Sequence, residues 1–70
     1  MSHTDPENVV GRSAHVMLPI PGDDKPGEVL IAVRGGSEMF IAYCDQPVPA
    51  GAQVVVLADR GARTLLVAPL

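Results

Sequence analysis

Aromatic residues are almost absent from this chain. Its 70 residues include no tryptophan, one phenylalanine (Phe40) and one tyrosine (Tyr43). Proteins that bind single strands stack bases on several exposed rings, and that resource is nearly missing here. Cysteine is as scarce. Cys44 stands alone, so no disulfide closes within the chain and no cysteine spacing matches a structural zinc site. No apolar run approaches the roughly 18 residues of a membrane-spanning helix. The first residues are polar and acidic (Ser2, Asp5, Glu7), so no signal peptide is expected and no membrane insertion by this chain itself.

Positive charge is also in short supply. Five basic residues face eight acidic ones, for a net charge of −3. The bases are Arg12, Lys25, Arg34, Arg60 and Arg63, spread along the chain. Nucleic-acid binding rests on a concentrated basic surface, which this distribution argues against. Arg34, Arg60 and Arg63 sit in or beside turns, and gathering them at one end of the molecule would make a weak patch at best.

What remains is aliphatic. Hydrophobic residues make up 47% of the chain, nearly all Val, Leu, Ile, Ala and Met. A chain this short forms one domain and buries only about 60% of the surface its unfolded form exposes. Its core must come from tight aliphatic packing, as in a small closed barrel, or from a partner.

The pattern along the chain is strand and turn. Residues 1–8 carry no apolar periodicity and read as a disordered lead, followed by a domain over residues 9–70. Within residues 9–20, Ala14, Val16, Leu18 and Ile20 alternate with Ser13, His15 and Met17 at period two. Pro19 cannot donate to a ladder, so that end is an edge or irregular. Pro21–Gly27 is an exposed turn.

A second strand spans Glu28–Arg34. Val29, Ile31 and Val33 alternate there with the equally apolar Leu30 and Ala32, so periodicity alone does not say which set is inside. Gly35-Gly36 reads as the centre of a type I′ hairpin. A third strand spans Glu38–Cys44. Phe40, Ala42 and Cys44 are placed inside, with Met39, Ile41 and Tyr43 outside; the opposite register is the alternative. Residues 45–52 form a stiff link in which Val48, flanked by prolines, is expected to plug one end. Gln53–Asp59 is a fourth strand, with Val54, Val56 and Ala58 opposite Val55 and Leu57. Gly61 supplies a left-handed residue in the next turn. A fifth strand, Thr64–Ala68, sets Leu65 and Val67 opposite Leu66 and Ala68. The expected fold is all-β, a small five-stranded OB-like Greek-key barrel.

Several of these segments share a further likeness. Val10-Gly11-Arg12-Ser13-Ala14 opens the pattern. Leu18-Pro19 and Pro26-Gly27-Glu28-Val29 lead into the second strand, and Phe40-Ile41-Ala42 marks the third. Val48-Pro49-Ala50-Gly51-Ala52-Gln53-Val54-Val55-Val56 enters the fourth, and Leu65-Leu66-Val67-Ala68-Pro69-Leu70 closes the chain. In this order they resemble the soluble C-terminal domain of the NfeD family, over residues 10–70. The resemblance implies an OB-like barrel attached to membrane helices, on the cytoplasmic side. It also implies a role in membrane organisation through protein contacts, with a flotillin-like partner.

The residues themselves suggest no catalysis. His3 and His15 are too isolated for a metal site. Cys44 is followed by Asp45, and a neighbouring carboxylate disfavours the thiolate, so Cys44 reads as a core residue. Asp23-Asp24 reads as a solvated turn, short of the oxygen ligands that calcium needs. Gly35-Gly36 precedes no helix and makes no phosphate cradle. No cofactor, metal or enzyme activity is expected. The candidate site is an interaction surface of Met39, Ile41, Tyr43 and Arg34, for a protein partner or weak self-association. The other reading is an OB-type module binding a ligand or single-stranded nucleic acid across strands two and three.

Overall fold

The computed structural model describes residues 8–70. It contains five strands: β1 (Ser13–Leu18), β2 (Gly27–Val33), β3 (Gly36–Tyr43), β4 (Gln53–Asp59) and β5 (Thr64–Pro69). They close into a barrel in the order β1-β2-β3-β5-β4, with β1 also paired to β4. All pairings are antiparallel except β3 with β5, which is parallel. This is the expected OB-like arrangement, and no helix occurs among the described residues. The expected residue 1–8 lead falls mostly outside the described residues. Val9, the first residue assigned to the domain, is fully buried.

The core is the inward set of each strand. Ala14, Val16, Val29, Ile31, Phe40, Ala42, Val54, Val56, Leu65 and Val67 form one buried cluster, joined by Val9, Ile20, Cys44 and Val48. Register explains the set. Val16, Val29 and Phe40 lie directly across from one another, and so do Gly27, Ala42 and Leu65. The open question on β2 and β3 is thereby decided. Val29 and Ile31 point inward with Phe40 and Ala42, and Met39 and Ile41 point outward. Val33 is half-buried against the core. Val48 is buried with the core. It exchanges two backbone hydrogen bonds with Ile20, of 2.8 and 2.9 Å, across the Pro47–Pro49 link.

Two bulges correct the period-two reading. Val16 pairs with Val29, yet Leu18 pairs with Glu28, so Met17 is one extra residue in β1. Cross-strand partners share a face. Leu18 therefore turns outward with Glu28 and is 51% exposed, instead of joining Ala14 and Val16. On β4, Val56 pairs with Val67 and Ala58 with Leu66, making Leu57 the extra residue. Ala58 consequently leaves the face of Val54 and Val56. A bulge adds twist and bends its strand, which a small barrel needs in order to close.

The β2–β3 turn also differs from expectation. Val33 pairs with Gly36, so the central residues are Arg34 and Gly35. Gly35 has φ +84° and Arg34 is not left-handed. Those signs belong to a type II turn, not type I′. The type I′ signature occurs elsewhere, at Asp23 (φ 53°) and Asp24 (φ 63°) between the bridged residues Gly22 and Lys25. Gly61 is left-handed as expected, and Ala62 and Arg63 share that conformation.

Candidate functional site

The outer face of β1, β2 and β3 is the largest run of exposed apolar side chains that the register brings together. One outward row across the strands is Leu18, Glu28 and Ile41. The next is His15, Leu30 and Met39. Met17 protrudes from the bulge beside them. Met17, Leu18, Met39 and Ile41 are all exposed, and Leu30 is half-buried. The face follows from the alternation of β3 and from the bulge of β1, which turns Leu18 toward solvent.

The anticipated residues are distributed unevenly over this face. Met39, Ile41 and Tyr43 follow one another at every second position of β3 and share its outer side. Arg34 lies apart, at the tip of the β2–β3 turn, with the Ala32–Ser37 pair between it and Met39. Leu18, Met17 and Leu30 were missed as members. Alternation groups Leu18 with Ala14 and Val16, and only the bulge separates it from them. Leu30 was visible as an apolar residue, but its side was undetermined.

Next to Tyr43 the face drops into a depression of about 410 Å³. Tyr43 and Leu66, paired across β3 and β5, contribute apolar surface to it. Asp23 and Asp24 reach it from the β1–β2 turn, Asp45 from the end of β3, and Arg60 from the β4–β5 turn. Cys44 lines it too, but the residue is 4% exposed and its thiol lies 3.9 Å from the Asp45 carboxylate.

Three of the arginines have separate partners. Arg63 donates to the Met39 carbonyl at 2.7 Å and pairs with Glu38 at 3.3 Å. Its guanidinium also stands 4.9 Å from the centre of the Phe40 ring. Arg12 donates to the Ala32 carbonyl at 2.6 Å. Arg60 belongs with the aspartates of the depression. Each of these three side chains therefore has its own local contacts.

His15 is exposed on the outer side of β1, between Leu30 and Gln53. His3 lies outside the described residues. No group of three or more His, Cys, Asp or Glu side chains among the described residues is placed to hold a metal ion. Among the same residues, no helix is long and apolar enough to cross a membrane.

Comparison with known proteins shows two similarities of note. The family model described as the NfeD C-terminal domain matches residues 13–68. The solution structure of the soluble domain of the NfeD protein YuaF from Bacillus subtilis is similar at 33% sequence identity. That similarity has a TM-score of 0.70 and covers 84% of this chain and 70% of the other. No curated protein matches the chain.

Proposed function

The chain belongs to the NfeD C-terminal domain family, and on that premise we propose that it is a non-catalytic docking module of a membrane-associated protein. The observation that carries this reading is the outward face of Met17, Leu18, Leu30, Met39 and Ile41. A rigid sheet that presents contiguous apolar side chains is suited to protein contact, since isolated exposed apolar residues are ordinary and clustered ones are not. Among the described residues, the outward face of β1, β2 and β3 carries no paired acid and base, no activated nucleophile and no cationic cradle. Its chemistry is that of a surface.

The partner proposed is a flotillin-like membrane protein, with the barrel on the cytoplasmic side of the parent protein's membrane. The NfeD resemblance motivates both. Tyr43 and Arg34 border the face at its two ends. Single-stranded nucleic acid fits less well. Phe40 is buried, Tyr43 is half-buried, Arg63 is engaged with Glu38 and Met39, and Glu28 sits in the middle of the face.

The test is binding of the purified domain to a flotillin-like protein from the same organism, reconstituted in vesicles and read by sedimentation of the vesicles. Wild type is expected to bind, and Leu18→Gln and Ile41→Gln to bind at least about fivefold more weakly, since losing a well-packed apolar anchor costs more than about 1 kcal/mol. Far-UV circular dichroism checks that both variants keep the fold. Absence of wild-type binding, or equal binding by folded variants, overturns the reading. Sedimentation equilibrium of the domain alone tests self-association through the same face.

A further inference from the structure

Charge around the apolar face indicates what kind of segment it receives. Glu28 lies in the central row, between Leu18 and Ile41. Asp23, Asp24 and Asp45 line the depression into which the face leads at Tyr43. None of these four carboxylates forms an ion pair among the described residues, where the single salt bridge is Arg63 with Glu38. Among the described residues Arg60 is the one cation lining the depression, against three aspartates, so the lining carries a surplus of negative charge.

The apolar lining of the depression adds a second requirement. Tyr43 and Leu66 contribute apolar surface alongside the carboxylates. A long side chain with an apolar stem and a cationic head satisfies both parts. The stem of arginine or lysine packs on apolar surface while the head reaches the carboxylates. Arginine suits it better than lysine, because a planar guanidinium stacks on a tyrosine ring and bridges carboxylates.

We propose that the depression takes the arginine or lysine of an extended protein segment whose neighbouring apolar side chains lie on Ile41 and Met39. The inference rests on the docking role assigned to this face and names the chemistry of what docks: apolar residues next to a cation. Residues along an extended segment alternate in direction, as they do along β3. Cationic and apolar side chains two positions apart therefore face the barrel together, one over Tyr43 and one over Ile41.

Three probes test this by amide chemical-shift titration of the labelled domain: acetyl-Leu-Ala-Leu-Ala-Arg-amide, and the same peptide ending in Gln or Glu. The arginine peptide is expected to shift Ile41, Tyr43, Asp23, Asp24 and Asp45 together. Its affinity is expected to exceed that of the glutamine peptide about tenfold in low salt, the sum of a few surface charge contacts, and to fall as salt rises. The triple variant Asp23→Asn, Asp24→Asn, Asp45→Asn should erase that advantage. Asparagine tolerates the left-handed conformation at 23 and 24, so the turn is kept.

Equal binding of all three peptides, with shifts confined to Met39 and Ile41, overturns the charge inference and leaves the docking face standing. Binding of the arginine peptide that survives Ile41→Gln but not the triple variant supports the cation site and removes the apolar face from it. No binding by any of the three overturns the proposal.

Discussion

A Cβ atom on Gly27 would lie 2.5 Å from the carbonyl oxygen of Leu18. It would meet the Pro19 carbonyl oxygen at the same distance. The chain leaving β1 thus crosses directly over the first residue of β2, and only glycine leaves room for it. Gly27 has no unusual φ, so the requirement is one of space.

Gly27→Ala is therefore expected to destabilise the barrel by about 3 kcal/mol, because backbone and not a flexible side chain must move. Gly36→Ala is the control. Nothing lies within 4 Å of its added Cβ, and its φ is not left-handed, so the change should fall within about 0.5 kcal/mol of wild type. Urea unfolding followed by circular dichroism separates the two. Equal stability of both variants would mean that the crossing relaxes without cost.

Arg63 ties the start of β5 to β3 through the Met39 carbonyl, Glu38 and the Phe40 ring. Arg63→Ala should cost about 1 kcal/mol, summed over a hydrogen bond to a charged donor and an exposed cation–π contact. Glu38→Gln should cost less than about 0.5 kcal/mol, since the ion pair is largely solvent-exposed. Thermal unfolding at low and high salt reads the distinction: the loss in Arg63→Ala persists in high salt, and the loss in Glu38→Gln does not.

The same arginines guard the edges of the β2–β3 hairpin. β3 pairs with β5 only from Ile41 onward, and β2 pairs with β1 only up to Leu30. Beyond those points the carbonyls of Met39 and Ala32 accept from Arg63 and Arg12 side chains. Unpaired strand edges invite pairing with another chain. Arg12→Ala combined with Arg63→Ala should associate more strongly than wild type in sedimentation velocity. Unchanged sedimentation would show that the edges need no guard.

Ala62 holds φ 53° between Gly61 and Arg63, which are also left-handed. The turn is supported by hydrogen bonds from Arg60 to Thr64, from Thr64 to Gly61, and from the Gly61 amide to the Asp59 carboxylate. An alanine pays about 1 kcal/mol for this conformation. Ala62→Gly should raise stability by roughly 0.5 kcal/mol, once the greater freedom of glycine in the unfolded chain is subtracted. A midpoint shift to higher urea checks it, and a shift to lower urea would refute it.

Cys44 should react with a thiol reagent only through opening of the fold. Its thiol is buried in the core cluster. Labelling with Ellman's reagent is expected to accelerate in urea in step with unfolding. Fast labelling in native buffer would place the thiol on the surface of the depression.

The amino-acid sequence by itself determined most of the barrel. Alternation at period two placed Phe40, Ala42 and Cys44 inside and grouped Ala14 with Val16, Val54 with Val56, and Leu65 with Val67, and all of them are buried. Turn residues separated the strands, because glycine and proline act locally and their effects are readable locally. Met39, Ile41 and Tyr43 were legible as one outward stripe for the same reason.

Tertiary structure alone decided the rest. The bulges at Met17 and Leu57 arise where β1 and β4 must bend around the barrel, and no local signal marks them. They moved Leu18 onto the candidate face and Ala58 off the inner one. The depression joins Asp23, Tyr43 and Arg60, which meet only because β5 lies parallel beside β3 and the β1–β2 turn folds over that seam. Pairing between distant strands depends on closure of the whole sheet, so which of many apolar and charged residues become neighbours is a property of the barrel and of no single segment.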